Sequence, residues 1–271
     1  MNKKFFAMLG LAATLFFTGC GGGDNGGGTD KNSTLKIGAT PVPHAEILEE
    51  IKPDLKEKGI TLEIVEFNDY VQPNIALNDK ELDANFFQHE PYLNDFVKEH
   101  KEMKIKNAGG VHIEPMGIYS KKIKDLKELP DGAQIAIPND PTNGGRALLL
   151  LQKADLLKLK DGVKETATVQ DIAENPKNLK IQEVEAAQLP RTLEDVDAAI
   201  INTNFAMNAE LNPMKDALFI EDKTSPYVNI VVVRDGDENR PEIKTLLETL
   251  KSDKVKKFIT EKYKGAIVPA F

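Results

Sequence analysis

Short apolar segments alternate with amphipathic stretches from Leu35 to the end of the chain, and this alternation restricts the possible folds more than any other feature. Residues 35–39 alternate with a period of two, which predicts a strand. The next stretch predicts a helix that ends at Gly59 and carries its apolar residues on one face: Ile47, Leu48, Ile51 and Leu55. Pro53 is expected to kink or break this helix. Repeated strand and helix patterns predict an α/β fold with covered, mainly parallel sheets.

The rest of the chain continues this pattern without an obvious division. Further strands are predicted at 60–67, 82–87, 134–137, 179–184, 198–201 and 228–233, and helices at 146–159 and 242–262. A length of 271 residues suggests about two domains. Because no Pro/Ser-rich linker divides the chain after residue 34, we expect two intertwined lobes with a ligand cleft between them.

The N-terminus has the features of a secretory signal. Lys3 and Lys4 precede an uncharged apolar run at 5–17, which is too short to cross a membrane because a spanning helix needs roughly 20 residues. Small residues and Cys20 follow, and residues 17–20 resemble the lipobox of bacterial lipoproteins. The alternative is a buried cysteine in an uncleaved helix. Poly-Gly at 21–28 cannot continue a helix, however, and predicts a flexible tether.

Composition excludes several classes of protein. With 41% apolar and 29% charged residues the chain is typical of a packed globular protein. It carries 35 Lys and Arg against 43 Asp and Glu, a net charge of −8, which disfavours binding to nucleic acid. Its single cysteine excludes an intramolecular disulfide and a zinc site built from cysteines.

Sequence signatures of enzymes are absent. The chain has no G-x-S-x-G, Walker loop or H-E-x-x-H motif, and no G-x-G-x-x-G follows a predicted strand. Its histidines, at 44, 89, 100 and 112, lack the tight spacing of metal ligands, although a fold can still gather them. We therefore predict that the protein is not an enzyme and has no cofactor and no metal site.

Residues 138–146 are the most chemically suggestive segment. They follow a predicted strand and open an apolar helix, so free backbone N–H groups and the positive end of the helix dipole point toward the loop. Arg146 adds a planar fork that suits a carboxylate. The alternative is an ordinary turn with Arg146 in a surface salt bridge.

Two other features suit the wall of a cleft. Residues 85–92 concentrate aromatic side chains and His89 in a chain with only 6% aromatic residues, which fits either core packing or contact with a thioether or aliphatic group. Amide side chains at Asn202, Asn204 and Asn229 lie beside predicted buried strands, where they must find partners. Those partners are either a ligand or the backbone of nearby loops.

Read together, these segments resemble the bacterial methionine-binding lipoproteins of the MetQ/NlpA family, the substrate-binding components of methionine ABC importers. The matching blocks are 41–48 (PVPHAEIL), 67–92 (FNDYVQPNIALNDKELDANFFQHEPY), 119–126 (YSKKIKDL), 137–152 (IPNDPTNGGRALLLLQ), 174–180 (ENPKNLK), 199–202 and 225–229 (SPYVN). The resemblance implies an α/β, two-lobed fold of the periplasmic-binding-protein kind (type II), with an amino acid buried between the lobes.

The resemblance also implies roles for individual residues. Arg146 is expected to bind the ligand carboxylate, and Asn202 and Asn229 to hold the amino and carboxylate groups by hydrogen bonds. The side-chain pocket is expected to be lined by Tyr70, Phe86, Phe87, His89 and Tyr92. Neighbouring strand residues point in opposite directions, so the sequence leaves open which of the two phenylalanines faces the ligand. Asn204 is a further candidate.

The implied protein is a lipid-anchored monomer on the extracytoplasmic side of the cell membrane. Residues 1–19 form the signal peptide, 20–33 the lipid anchor at Cys20 and the tether, 34–115 plus 229–271 one lobe, and 116–228 the other. The implied partners are methionine, an ABC permease and its ATPase subunit. Alternatives are a receptor for a methionine-containing dipeptide or another small apolar amino acid, a metal-ion receptor using the histidines, and a secreted hydrolase with His89 as base.

Overall fold

The computed structural model describes residues 33–271 of the chain. Its strands are β1 (Ser33–Ala39), β2 (Ile60–Glu66), β3 (Ala84–His89), β4 (Ile105–Ile113), β5 (Gly117–Tyr119), β6 (Gln134–Pro138), β7 (Lys158–Leu159), β8 (Ile172–Glu174), β9 (Lys180–Val184), β10 (Ala198–Ile201), β11 (Ala217–Ile220), β12 (Val228–Arg234) and β13 (Val268–Pro269). Its helices are α1 (Glu46–Glu57), α2 (Gln72–Asn78), α3 (Glu90–Glu99), α4 (Pro141–Lys153), α5 (Leu189–Thr192), α6 (Thr203–Asn208), α7 (Pro213–Asp216), α8 (Pro241–Leu250) and α9 (Asp253–Tyr263). The predicted signal peptide, Cys20 and the Gly-rich residues 21–28 lie outside the described residues.

The first sheet combines strands from both ends of the described chain, in the order β13-β4-β12-β3-β1-β2. Strand β1 runs parallel to β2 and β3, whereas β12 runs antiparallel to β3 and β4. Helices α1, α8 and α9 supply much of the core of this lobe, with fully buried side chains such as Leu48, Leu246 and Ile259. Burial of these apolar faces is the main source of stability in this lobe.

The second sheet has the order β11-β5-β10-β6-β9, and a small pair, β7-β8, lies beside it. Ala198 and Ile200 of β10 belong to one buried cluster, and Ala199 and Ile201 belong to another. Successive side chains of a strand point to opposite faces, so this division means that both faces of β10 are covered. Double burial explains why the strand is apolar throughout.

The two sheets form the cores of two lobes, and the chain passes between them on neighbouring strands. It leaves the first sheet after β4 and returns to it as β12. A chain that leaves a sheet on one strand and returns on the adjacent strand runs in opposite directions on the two. Such antiparallel pairs stand beside parallel pairs, so both sheets are mixed. The predicted α/β class is confirmed, but the prediction of mainly parallel sheets is wrong. Within residues 33–271, no helix combines the length and apolar composition needed to cross a bilayer.

Three predicted helices differ from the structure. The helix predicted at 146–159 is α4, which begins earlier because the Asp140 side chain caps it by accepting the Asn143 N–H, and which ends before β7. The stretch at 242–262 is two helices, α8 and α9, because Ser252 caps a new start. Pro53 does not interrupt α1. Its ring lies on the exposed side of the helix, where water can satisfy the freed carbonyl.

Candidate functional site

A cavity of about 330 Å³ lies between the two lobes. It is lined by Tyr70, Phe87, Gln88, His89, Tyr92, Glu114, Asn143, Arg146, Asn202, Thr203, Asn204 and Asn229. A concave site with aromatic side chains and a few convergent polar groups is the usual form of a small-molecule pocket.

The topology places these residues together because several follow the carboxyl ends of strands. His89 ends β3 and caps α3, Asn202 directly follows β10 and precedes α6, and Arg146 lies in the second turn of α4 after β6. In α/β folds, ligands bind in the crevice outside the carboxyl ends of the strands. The loops and helix starts of both lobes therefore meet at one cleft.

One end of the cavity is aromatic. Tyr70 is the centre of this end, with ring centroids 4.8 Å from Phe205, 5.7 Å from Tyr92 and 5.9 Å from Phe87. The Tyr70 hydroxyl donates a hydrogen bond of 2.6 Å to Asn204 Oδ1 across the lobes, and burial raises its pKa well above the usual range. A thioether or aliphatic side chain fits such a wall, since sulfur–aromatic contacts are favourable.

Seven of the eight predicted ligand-binding residues line the cavity: Tyr70, Phe87, His89, Tyr92, Arg146, Asn202 and Asn229. Phe86 does not, and its assignment to the pocket is wrong. Its fully buried ring lies in the core of the first lobe, with its centroid 4.7 Å from that of His44. Pairing between β3 and β12 shifts register at this point, so that Phe86 and Gln88 have partners and Phe87 has none. Such a bulge redirects a side chain, here toward the cleft.

Arg146 occupies the polar end of the cavity and is almost fully buried. Its Nε donates to Glu221 Oε1 at 3.1 Å, and its Nη2 donates to Glu221 Oε2 at 2.5 Å and to the Glu114 carbonyl at 2.7 Å. Its guanidinium lies 4.1 Å from the centre of the Tyr227 ring. These contacts fix the guanidinium plane, and among the described residues Nη1 makes no hydrogen bond. The sequence also allowed Arg146 to form a salt bridge on the surface. Arg146 does form a salt bridge, but it is buried and lines the cleft.

A hydrogen-bond chain across the cleft centres on Asn143. Asn143 Oδ1 accepts from Asn202 Nδ2 at 2.9 Å and from His89 Nε2 at 3.0 Å, while its Nδ2 donates to the Asp140 carboxylate. His89 Nδ1 accepts the backbone N–H of Tyr92, so the proton of this neutral ring is on Nε2. Asn202 Oδ1 is buried and has no hydrogen-bond partner among the described residues. A buried acceptor that lines a cavity is suited to a ligand donor.

Behind the polar end lies a cluster of His44, His112 and Glu114. Glu114 Oε1 is 2.8 Å from His112 Nε2 and 3.2 Å from His44 Nε2. His44 Nε2 is also 3.1 Å from Asn229 Oδ1. The fold thus gathers two histidines that the sequence separates, and their donor atoms and that of Glu114 lie within 4.8 Å, close enough to hold a metal ion. The same atoms also form a hydrogen-bonded network that orients Asn229.

The buried imidazoles are expected to make stability fall in mild acid. Burial lowers the pKa of His44 to about 4 and the pKa values of His89 and His112 to about 3, since the charged ring is poorly solvated in the interior. In the unfolded chain these rings titrate near 6.5. Below that pH the unfolded chain binds protons that the folded chain does not. The free energy of unfolding is therefore expected to fall as the pH is lowered from about 6.5 to about 4.

Urea unfolding of the empty protein in small pH steps measures this dependence. Near pH 5 we expect an uptake of between about one and about three protons on unfolding. Glu114 and Asp140 reduce the value because burial raises their pKa values, so that the folded chain keeps protons there more readily. A free energy of unfolding that stays constant over this range contradicts the neutral state of the histidines.

Comparison with known proteins identifies the family. The model of the NlpA lipoprotein family matches residues 35–271. The chain belongs to the NlpA lipoprotein family. One NlpA-type relative, the methionine-binding lipoprotein MetQ of Bacillus subtilis, is 45% identical over 99% of this chain and 99% of its own length.

Solved structures of similar proteins share the fold of this NlpA member. A nutrient-binding protein of Burkholderia cenocepacia, bound to methionine, is 51% identical with a TM-score of 0.84, over 88% of this chain and 100% of its own. An ABC-transporter periplasmic substrate-binding protein of Coxiella burnetii is 46% identical with a TM-score of 0.83, over 87% of this chain and 100% of its own. The two-lobed substrate-binding fold predicted from the sequence is confirmed.

Sequence reasoning missed several lining residues of this NlpA protein. Asn143 lies within the segment 138–146 that the sequence singled out, but only Arg146 was chosen from it. Gln88 and Thr203 lie next to predicted site residues. Glu114 had one weak signal, an acidic residue directly after the buried end of β4. His112 is close to it in sequence, but His44 and the other lining residues are distant, so no local pattern could reveal its role.

Proposed function

We propose that this protein is the substrate-binding lipoprotein of an ABC importer, which captures methionine between its lobes and delivers it to a membrane permease. The observation that carries the proposal is the cavity itself, aromatic at one end and bearing the Arg146 guanidinium at the other. The Bacillus relative is a methionine-binding lipoprotein and the Burkholderia structure is bound to methionine, which supports the same ligand.

The chemistry of methionine fits the two ends of the cavity. Its carboxylate suits the guanidinium of Arg146, because charge-assisted hydrogen bonds are about twice as strong as neutral ones. Asn202 and Asn229 are proposed to hold the amino and carboxylate groups by hydrogen bonds. Its thioether side chain suits the wall formed by Tyr70, Phe87 and Tyr92, where each buried CH₂ contributes roughly 0.8 kcal/mol.

The proposed partners follow from the relatives. A permease and its ATPase subunit are proposed because the Coxiella protein is named as part of an ABC transporter. A lipid anchor at Cys20, on the extracytoplasmic side of the membrane, is proposed because the family consists of lipoproteins. We propose residues 34–115 plus 229–271 as one lobe and 116–228 as the other, acting as a monomer. Closure of the lobes on the ligand then creates the form that the permease recognises.

Methionine is expected to be released in about one-to-one amount when the purified, washed protein is unfolded. Mass spectrometry identifies the released molecule, and calorimetry of the refolded protein with each enantiomer of methionine measures the affinity. The physical reason is that a ligand held by a buried ion pair and an aromatic wall dissociates slowly. Absence of heat with either enantiomer contradicts the proposal, while titration with leucine tests selectivity.

A second candidate is a receptor for a methionine-containing dipeptide. The observation in its favour is an adjoining pocket, open to solvent, which shares Tyr70 and Tyr92 with the first cavity. In the structure these two side chains separate the cavities, since the Tyr92 hydroxyl donates to the Tyr70 carbonyl at 2.9 Å. Release of a dipeptide, or tighter binding of a dipeptide than of methionine, favours this candidate.

A further inference from the structure

One acidic and one basic side chain line the cavity, those of Glu114 and Arg146. Both residues are almost fully buried, with 6% and 3% of their surfaces exposed. The other ionisable side chains of the lining are the neutral phenols of Tyr70 and Tyr92 and the imidazole of His89. The hydrogen bonds of His89 described above keep its ring neutral. One carboxylate and one guanidinium in a small cavity match the two charges of a zwitterion.

The charge of Arg146 is already compensated, but that of Glu114 is not. Arg146 has the carboxylate of Glu221 against two of its nitrogens, and it contacts only the backbone carbonyl of Glu114. Within residues 33–271, the side-chain partners of the Glu114 carboxylate are the two neutral imidazoles of His44 and His112, and no lysine or arginine forms an ion pair with it. A buried carboxylate without a cation is costly, and a cationic ligand group removes that cost.

A second acceptor lies on the lining of the same cavity. Asn202 Oδ1 is buried and unpartnered among the described residues, while the Nδ2 of the same amide is used by Asn143. An ammonium group has three donors and no acceptor, so it needs several acceptors close together. Glu114 and Asn202 provide a charged and a neutral acceptor, and the sequence places them on different lobes.

We infer that Glu114 is the counter-charge for the α-ammonium group of the ligand, and that it makes the site select amino acids with a free amino group. This inference rests on the proposed function and assigns a residue to the amino end of the ligand. His112 holds the Glu114 side chain in position by donating its Nε2–H to Oε1, and the His44 ring packs beside the same oxygen, with Nε2 at 3.2 Å. A carboxylic acid of the same shape without the amino group leaves the Glu114 charge unpaired and binds weakly.

The test is a two-by-two calorimetric titration of the wild-type protein and the Glu114→Gln variant. The two ligands are methionine and its des-amino analogue, in which hydrogen replaces the amino group. The wild type is expected to bind methionine at least about 30-fold more tightly than the analogue, because losing one partner of a buried charge pair is costly. Glu114→Gln is expected to lose at least about 30-fold in methionine affinity and to bind the analogue within about threefold of the wild type.

Glu90→Gln is the matched control. It also replaces an acid by an amide in the first lobe, but the exposed Glu90 does not line the cavity. It is expected to leave both affinities unchanged, which separates the local effect from the effect of net charge. Melting temperatures of all three empty proteins show whether the variants fold.

Three results overturn the inference while leaving the proposed function standing. The first is equal affinity of the wild type for both ligands, and the second is normal methionine affinity of Glu114→Gln. The third is an equal loss of affinity for both ligands in that variant. If the variant does not fold, the comparison of the two ligands on the wild type alone tests the inference. Failure of the wild type to bind methionine at all overturns the proposed function instead.

Discussion

Replacing Arg146 with alanine is expected to remove most of the methionine affinity. Loss of one partner of a buried, hydrogen-bonded charge pair costs about 2 to 5 kcal/mol, or roughly 30-fold to several thousand-fold in the dissociation constant. The guanidinium lines the cavity, and its plane is fixed by Glu221 and Tyr227. Calorimetric titration with methionine measures the loss, and near-normal affinity excludes this residue from the site.

A stability control is needed because Arg146 also has a structural role. Its removal leaves the Glu221 carboxylate, whose side chain is only 15% exposed, without its cation. Arg146→Lys is the matched variant, since it keeps the positive charge but lacks the planar fork that contacts Glu221 through two nitrogens. We expect it to retain more affinity than Arg146→Ala. Melting temperatures of the empty variants separate a folding defect from a binding defect.

Alanine at the neighbouring Phe86 and Phe87 is expected to produce two different defects. Phe86 is fully buried in the core of the first lobe, so Phe86→Ala is expected to lower the free energy of unfolding by about 3 to 5 kcal/mol. Phe87 lines the cavity and packs near Tyr92 and Phe96, so Phe87→Ala is expected to weaken methionine binding as well as stability. Loss of sulfur–aromatic contact alone accounts for about 0.3 to 1.5 kcal/mol of that affinity.

Two measurements on each variant separate the defects. Urea unfolding of the empty protein gives stability, and calorimetry well below the melting temperature gives the affinity of the folded fraction. We expect folded Phe86→Ala to bind methionine nearly as the wild type does. The opposite pattern, in which Phe86→Ala keeps its stability and loses affinity, contradicts the register shift at β3.

Local patterns predicted a large part of the fold and of the candidate site. The α/β class followed from short apolar strands between amphipathic helices, because a strand buried on both faces is apolar throughout and a helix is apolar on one face. Aromatic residues near His89 and the turn before Arg146 indicated cleft residues, since each follows a strand that ends at the crevice. The resemblance to one family joined these separate features and named the ligand.

Contacts between distant parts of the chain decided the rest. The sheets are mixed because β4 and β12 carry the chain out of and back into the first lobe side by side. The shift in register opposite β12 turned Phe87 rather than Phe86 toward the cleft. Glu114 gained His44 as a partner, and Arg146 gained Glu221, from remote segments. Charge compensation, burial and strand register depend on which segments meet, and the sequence displays only what each segment does alone.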